Sequence, residues 1–90
     1  MSLHRPETPM PKTLGYYEVI DHQLVVSRED EPPLAVVLRR DPYRPADRAY
    51  EVCMAALRNG EWAGFDTEHS MSRTQADTRF SERIQERGAA

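Results

Sequence analysis

The side chains most able to do chemistry are few and scattered along the chain. Cys53 is the only thiol. A nucleophilic thiolate needs an electropositive, partly exposed setting. Cys53 instead lies between Val52 and the run Met54-Ala55-Ala56, where a thiol serves as a small hydrophobe. One short run mixes ligand types, Asp66-Thr67-Glu68-His69. In an extended segment Asp66 and Glu68 share a face with His69 adjacent. A small metal-assisted enzyme built there would need further converging ligands, or a positioned acid and base. His4 falls in a proline-bearing arm and His22 in an expected turn, so the set stays incomplete and the run reads as an acidic loop ahead of a helix. The four glycines, at 15, 60, 64 and 88, make no phosphate-binding loop, and there is no G-x-S-x-G elbow. The residues predict no catalytic constellation, no cofactor and no resident metal.

Charge offers binding chemistry instead. Arg79, Arg83 and Arg87 recur every four residues and form a stripe on an expected C-terminal helix. Arginine suits bidentate pairing with carboxylate or phosphate. However, Asp77, Glu82 and Glu86 lie among them, and Arg79–Glu82 and Arg83–Glu86 have the spacing of i,i+3 pairs, so the stripe reads as a salt-bridged, solvated face. Arg39-Arg40 ends an apolar run, and Glu29-Asp30-Glu31 forms an acidic loop suited to a basic partner. Tyr16-Tyr17 has the rings of a base-stacking platform but no neighbouring lysines, and reads as strand core.

The chain of 90 residues carries a net charge of -3, with 39% hydrophobic and 30% charged residues. Neither half is basic, which speaks against the electrostatic footprint of a nucleic-acid binder or of a protein drawn to anionic lipid. A single cysteine excludes an intramolecular disulfide. Residues 1–13 lack the apolar stretch of a signal peptide, and the longest wholly apolar run, Leu34 to Leu38, is far too short to span a bilayer. A cytoplasmic location is the default expectation. One domain is expected, with a thin core.

The elements that must position these residues read as β-β-β-α-α. Residues 1–13, with Pro6, Pro9 and Pro11, read as a flexible arm, and residues 14–87 as a single α+β domain. Tyr16, Tyr17, Val19, Ile20, Val25 and Val26 suggest a hairpin over 15–28 with its turn near Asp21-His22-Gln23. Glu29 to Pro33 breaks the pattern, and a third strand follows over Leu34–Arg40. A first helix is expected from Pro45 to Asn59, stopped by Gly60 at its C′ position. Ala49, Tyr50, Val52, Cys53, Met54, Ala56 and Leu57 would lie on one broad arc of it. Residues 61–68 read as a linker or short strand carrying Trp62 and Phe65. A second helix starts near Ser70 or Ser72, where Ser72 and Gln75 fit a capping box. Its apolar stripe is Ala76, Phe80 and Ile84.

The expected fold is thus a three-stranded antiparallel meander with the first helix packed across it. It carries a tension. Leu24 to Val26 and Leu34 to Leu38 are apolar at consecutive positions, so both faces of the sheet need a cover. The second helix, Trp62 and Phe65, or another chain would have to provide it. Together these features predict a small non-catalytic protein–protein interaction module: an adaptor, or an inhibitor of a larger complex, of the kind carried by bacteria, phages or mobile elements. The partner would be a larger protein or a second copy through the sheet face or edge. The candidate contacts are Glu29, Asp30, Glu31, Arg39, Arg40, Trp62, Phe65, Arg79, Arg83 and Arg87. The alternatives are a nucleic-acid-binding module using the arginine stripe with Arg39 and Arg40, and a metal-assisted enzyme at Asp66, Glu68 and His69. Membrane association is not expected.

Overall fold

A computed structural model describes residues 8–90 of the chain. The expected proline-rich arm falls partly outside the described residues. Five antiparallel strands follow one another in a meander: β1 (Thr13–Leu14), β2 (Tyr17–Val25), β3 (Leu34–Arg40), β4 (Tyr50–Arg58) and β5 (Glu61–Met71). One helix, α1 (Arg73–Arg87), completes the chain. The sheet curls into a half-barrel, and β1 at one edge touches β5 at the other. Among the described residues, no helix is long and apolar enough to cross a membrane.

This corrects the expected three strands and two helices. The segment assigned to a first helix, 45–59, is instead a 3-10 turn (Ala46–Arg48) followed by β4. A strand buried on both faces is apolar at nearly every position, so helical periodicity fits it as well as strand periodicity does. Tyr50, Val52, Met54 and Ala56 turn toward α1, while Cys53 and Ala55 turn the other way. The punctuation at the end of this segment also differs from the expected helix stop. Asn59 (φ 52) and Gly60 (φ 77) are both left-handed, and they join β4 to β5 through the register pairs Leu57↔Trp62 and Arg58↔Glu61. Asn-Gly between two strands is the type I′ hairpin signal, not a helix stop.

The first hairpin is also shifted. Asp21-His22-Gln23 lies within β2, where Ile20 forms a bulge between the pairs Val19↔Arg39 and Asp21↔Leu38. The turn is Gly15-Tyr16, with Gly15 at φ 65. The C-terminal helix starts where the sequence places it. Ser72 caps Gln75 N–H, and the Gln75 side chain returns to Ser72 N–H.

The two-faced sheet acquires two covers. On one face, Ala76, Phe80 and Ile84 of α1 pack on Val36, Leu38, Val52 and Met54. After α1, Gly88 (φ 88) turns the chain back, and Ala89 bridges to Val25, which fastens the helix to β2. On the other face, the curl brings Leu14, Ala35, Val37, Cys53, Ala55 and Trp62 together, with Met10 of the N-terminal segment packed against them. Trp62 Nε1 donates to the Thr8 carbonyl at 3.0 Å. The second face is therefore filled within one chain, which removes the reason for expecting another molecule on it.

Candidate functional site

The interior face of the half-barrel changes character at one end. Beyond Val37 and Cys53 the same face continues into Arg39 and Glu51, directly paired across β3 and β4. Glu51 is 1% exposed and Arg39 8%. The Arg39 guanidinium donates through Nε to Glu51 Oε1 at 3.0 Å. It also lies 3.9 Å over the Tyr17 ring, so the charge is held by a carboxylate on one side and a π face on the other. The other oxygen, Glu51 Oε2, is 2.8 Å from His69 Nδ1. A carboxylate paired with arginine only accepts, so Nδ1 carries the hydrogen and Nε2 is left without a partner among the described residues.

His69 reaches this position because β5 is irregular. The pairs Met54↔Phe65, Val52↔Glu68 and Tyr50↔Met71 require one extra β5 residue in each interval. Asp66 (φ 52) and Ser70 (φ 60) lie in these intervals in left-handed conformation. Such bulges bend a strand and re-aim its side chains. Here they send Glu68 to the helix face and His69 to the interior face, so adjacent residues diverge.

Above the buried pair lies an exposed aromatic group. Tyr16 stacks on Tyr17 with centroids 4.2 Å apart, and Tyr43 of the β3–β4 loop tilts against Tyr16 at 5.7 Å. Tyr43 is 84% exposed and Tyr16 53%. The Tyr16 hydroxyl donates to the Tyr17 hydroxyl at 3.0 Å. That bond foremost, then desolvation and the charges of Asp41 and Glu51, push the Tyr16 pKa up to about 12. The loop is anchored by buried Asp41, which accepts from Tyr43 N–H at 2.9 Å and pairs with Arg44 Nε at 3.3 Å. Arg44 Nη1 donates to Ser70 Oγ at 2.7 Å. A closed ring results: Tyr43, Tyr16, Tyr17, Arg39, Glu51, His69, then Ser70, Arg44, Asp41 and back to Tyr43. Its acids are buried, while its tyrosines, its imidazole and the Arg44 fork reach the surface.

The candidates named from sequence are distributed differently. Arg39 belongs to this ring, but as its buried support. Arg40 lies at the same end, 3.9 Å from Glu18. Trp62 is a core residue. Phe65 is half exposed on β5, away from the tyrosines in register. The arginine stripe makes none of the expected i,i+3 pairs; its ties run to carboxylates on other elements and, for Arg79, to Glu86 two turns along α1. Arg79 donates to both oxygens of Glu68 and pairs with Glu86. Buried Arg83 lies 3.3 Å from Glu68 and 3.8 Å from Asp66, and its Nη1 has no hydrogen-bond partner among the described residues. Arg87 grips Glu31, and with the Arg28 N–H it holds the Glu31 carboxyl below the usual range. Glu29 and Asp30 are exposed. Asp66, Glu68 and His69 do not converge, and among the described residues no three metal-ligating side chains come together. Cys53 is fully buried, and burial pushes its thiol pKa up.

Sequence reasoning missed Tyr43, Arg44 and Glu51, and assigned Tyr16 to the core. Asp41-Pro42-Tyr43 signals a turn, which is where an exposed aromatic is most informative, but nothing local shows that the turn meets Tyr16. Comparison with protein-family models, curated proteins and solved structures gave no significant match to this chain.

Proposed function

We propose that this protein is a small non-catalytic interaction module, an adaptor or inhibitor of a larger protein, which engages its partner through Tyr16, Tyr43 and Arg44. The observation that carries the reading is that two exposed tyrosines meet each other, Tyr16 stacked on Tyr17 and Tyr43 on a loop whose backbone is tied to buried Asp41. Tyrosine and arginine are enriched among the few residues that dominate binding energy at protein interfaces. Rings already held by stacking and by a tethered loop lose little freedom on binding. The arginine stripe offers less, because its members are already engaged by carboxylates of the same chain.

The test is quantitative capture of the tagged protein from its native lysate, with nuclease present. Wild type, the Tyr16→Ala/Tyr43→Ala variant, Phe65→Ala and Arg58→Gln at the opposite end of the sheet are compared. Loss of a hot-spot tyrosine weakens binding by about 2 kcal/mol, roughly thirtyfold. A stoichiometric protein that disappears with the tyrosine variant and stays with Arg58→Gln is the expected result. Retention by the tyrosine variant, or loss that instead follows Phe65→Ala, refutes this placement of the site.

A further inference from the structure

The ring also indicates the chemistry of what docks on it. Arg44 has five N–H groups in a planar fork. Nε is engaged by Asp41 Oδ2 and one Nη1 hydrogen by Ser70 Oγ. The second Nη1 hydrogen and both Nη2 hydrogens have no partner among the described residues, and the side chain is half exposed. Both Nη2 hydrogens and one on Nη1 are therefore open to a partner, and the rest of the fork is already oriented. His69 is similar: Nδ1 is tied to Glu51, and the ring is 55% exposed with Nε2 untied. The acids that balance these groups, Asp41 and Glu51, are both buried and cannot themselves meet a partner.

Resting on the interaction reading above, we infer that this face takes an acidic peptide segment of a protein partner, with one carboxylate on the free N–H groups of Arg44 and an adjacent apolar side chain against Tyr16 and Tyr43. A carboxylate takes charge-assisted hydrogen bonds from the free N–H groups of an arginine already held by other bonds. The neighbouring rings offer the apolar contact that a side chain next to that carboxylate needs. A polynucleotide would present the same anion chemistry, but in a continuous row of charges. That row would meet Glu18, exposed beside Arg40, Asp47, exposed beside Arg48 in the β3–β4 loop, and a chain of net charge -3. A single carboxylate avoids that repulsion.

The probe is a random 12-residue peptide display selection against the full-length protein. The selected peptides are then measured by fluorescence anisotropy alongside single-stranded DNA and RNA 12-mers. Peptides with Asp or Glu next to an aromatic or aliphatic residue should be enriched. Their binding should fall at least tenfold in Arg44→Gln and several-fold in Arg44→Lys, which keeps the charge and loses the fork. It should be unchanged in Arg58→Gln. Melting temperatures confirm that each variant is folded. Selected peptides without an acid, indifference to Arg44→Lys and Arg44→Gln, or tighter binding of the oligonucleotides would each overturn the inference. Lysate capture separates the two claims. Capture that depends on the tyrosines but not on Arg44 leaves the interaction module standing and removes the carboxylate. Capture that ignores the tyrosines removes both.

Discussion

Replacing Glu51 by glutamine tests whether the buried pair supports this end of the molecule. The amide preserves shape and one acceptor but leaves Arg39, which is nearly as buried as its partner, without a compensating charge. Breaking a buried ion pair from one side costs about 3–5 kcal/mol. A domain of this length has a total stability of roughly 5–13 kcal/mol, so about a quarter or more of it is at stake. At about 4–8 °C per kcal/mol for a chain of this size, even the lower figure lowers the melting temperature by about 12–24 °C. Two companions give the measurement its meaning. His69→Ala removes a half-exposed partner and should cost no more than about 1 kcal/mol. Arg39→Met combined with Glu51→Leu removes both charges, and it should recover at least half of the loss because well-packed apolar pairs commonly replace buried ion pairs without penalty. The assay is thermal and urea unfolding of all four proteins, followed by circular dichroism. A shift below about 4 °C for Glu51→Gln, with no recovery in the double variant, would refute the claim that a buried charge pair anchors the ring.

Three further outcomes are expected. Because the hydrogen bond to Tyr17 and the nearby acids raise the Tyr16 pKa to about 12, above the ordinary tyrosine value of about 10, its contribution to stability is full below pH 10 and is lost as pH rises through 12. Absorbance titration at alkaline pH should show a late tyrosine step that is absent in Tyr16→Phe. Gly64→Ala would place a Cβ 3.0 Å from Arg39 Nη1 and 3.5 Å from Cys53 Sγ. Since Arg39 is tethered to Glu51, it cannot swing freely aside, and a loss of about 1–3 kcal/mol should appear in urea unfolding. Ser72→Ala removes the acceptor for Gln75 N–H at 3.2 Å and should cost about 1 kcal/mol, measurable as a fall in melting temperature with the interaction surface unaffected.

Two elements of this fold are legible because local physics decides them. The strand over 34–40 follows from its β-branched and aliphatic run. The start of α1 follows from Ser72 and Gln75, whose capping bonds close within four residues. The helix stripe Ala76, Phe80 and Ile84 is the stripe that packs. The 50–58 segment fails the same test because burial on both sides erases the alternation that distinguishes strand from helix. There the Asn59-Gly60 pair is the better guide, because two successive left-handed residues suit a hairpin turn and not a helix end.

The candidate site marks the boundary more sharply. By itself the sequence determined a short chain with a small net negative charge, no disulfide, a dense apolar centre and a capped C-terminal helix, because composition, capping and short-range patterning act through neighbouring residues. Only the tertiary structure decided which charges are paired. Arg39 meets Glu51 across twelve positions, Glu51 meets His69 across eighteen and Arg44 meets Ser70 across twenty-six. Those meetings depend on strand register and on two bulges in β5, each of which changes which face a side chain takes. A one-residue shift reverses every facing, so the same residues read locally carry no information about whether Glu68 or His69 turns toward Glu51.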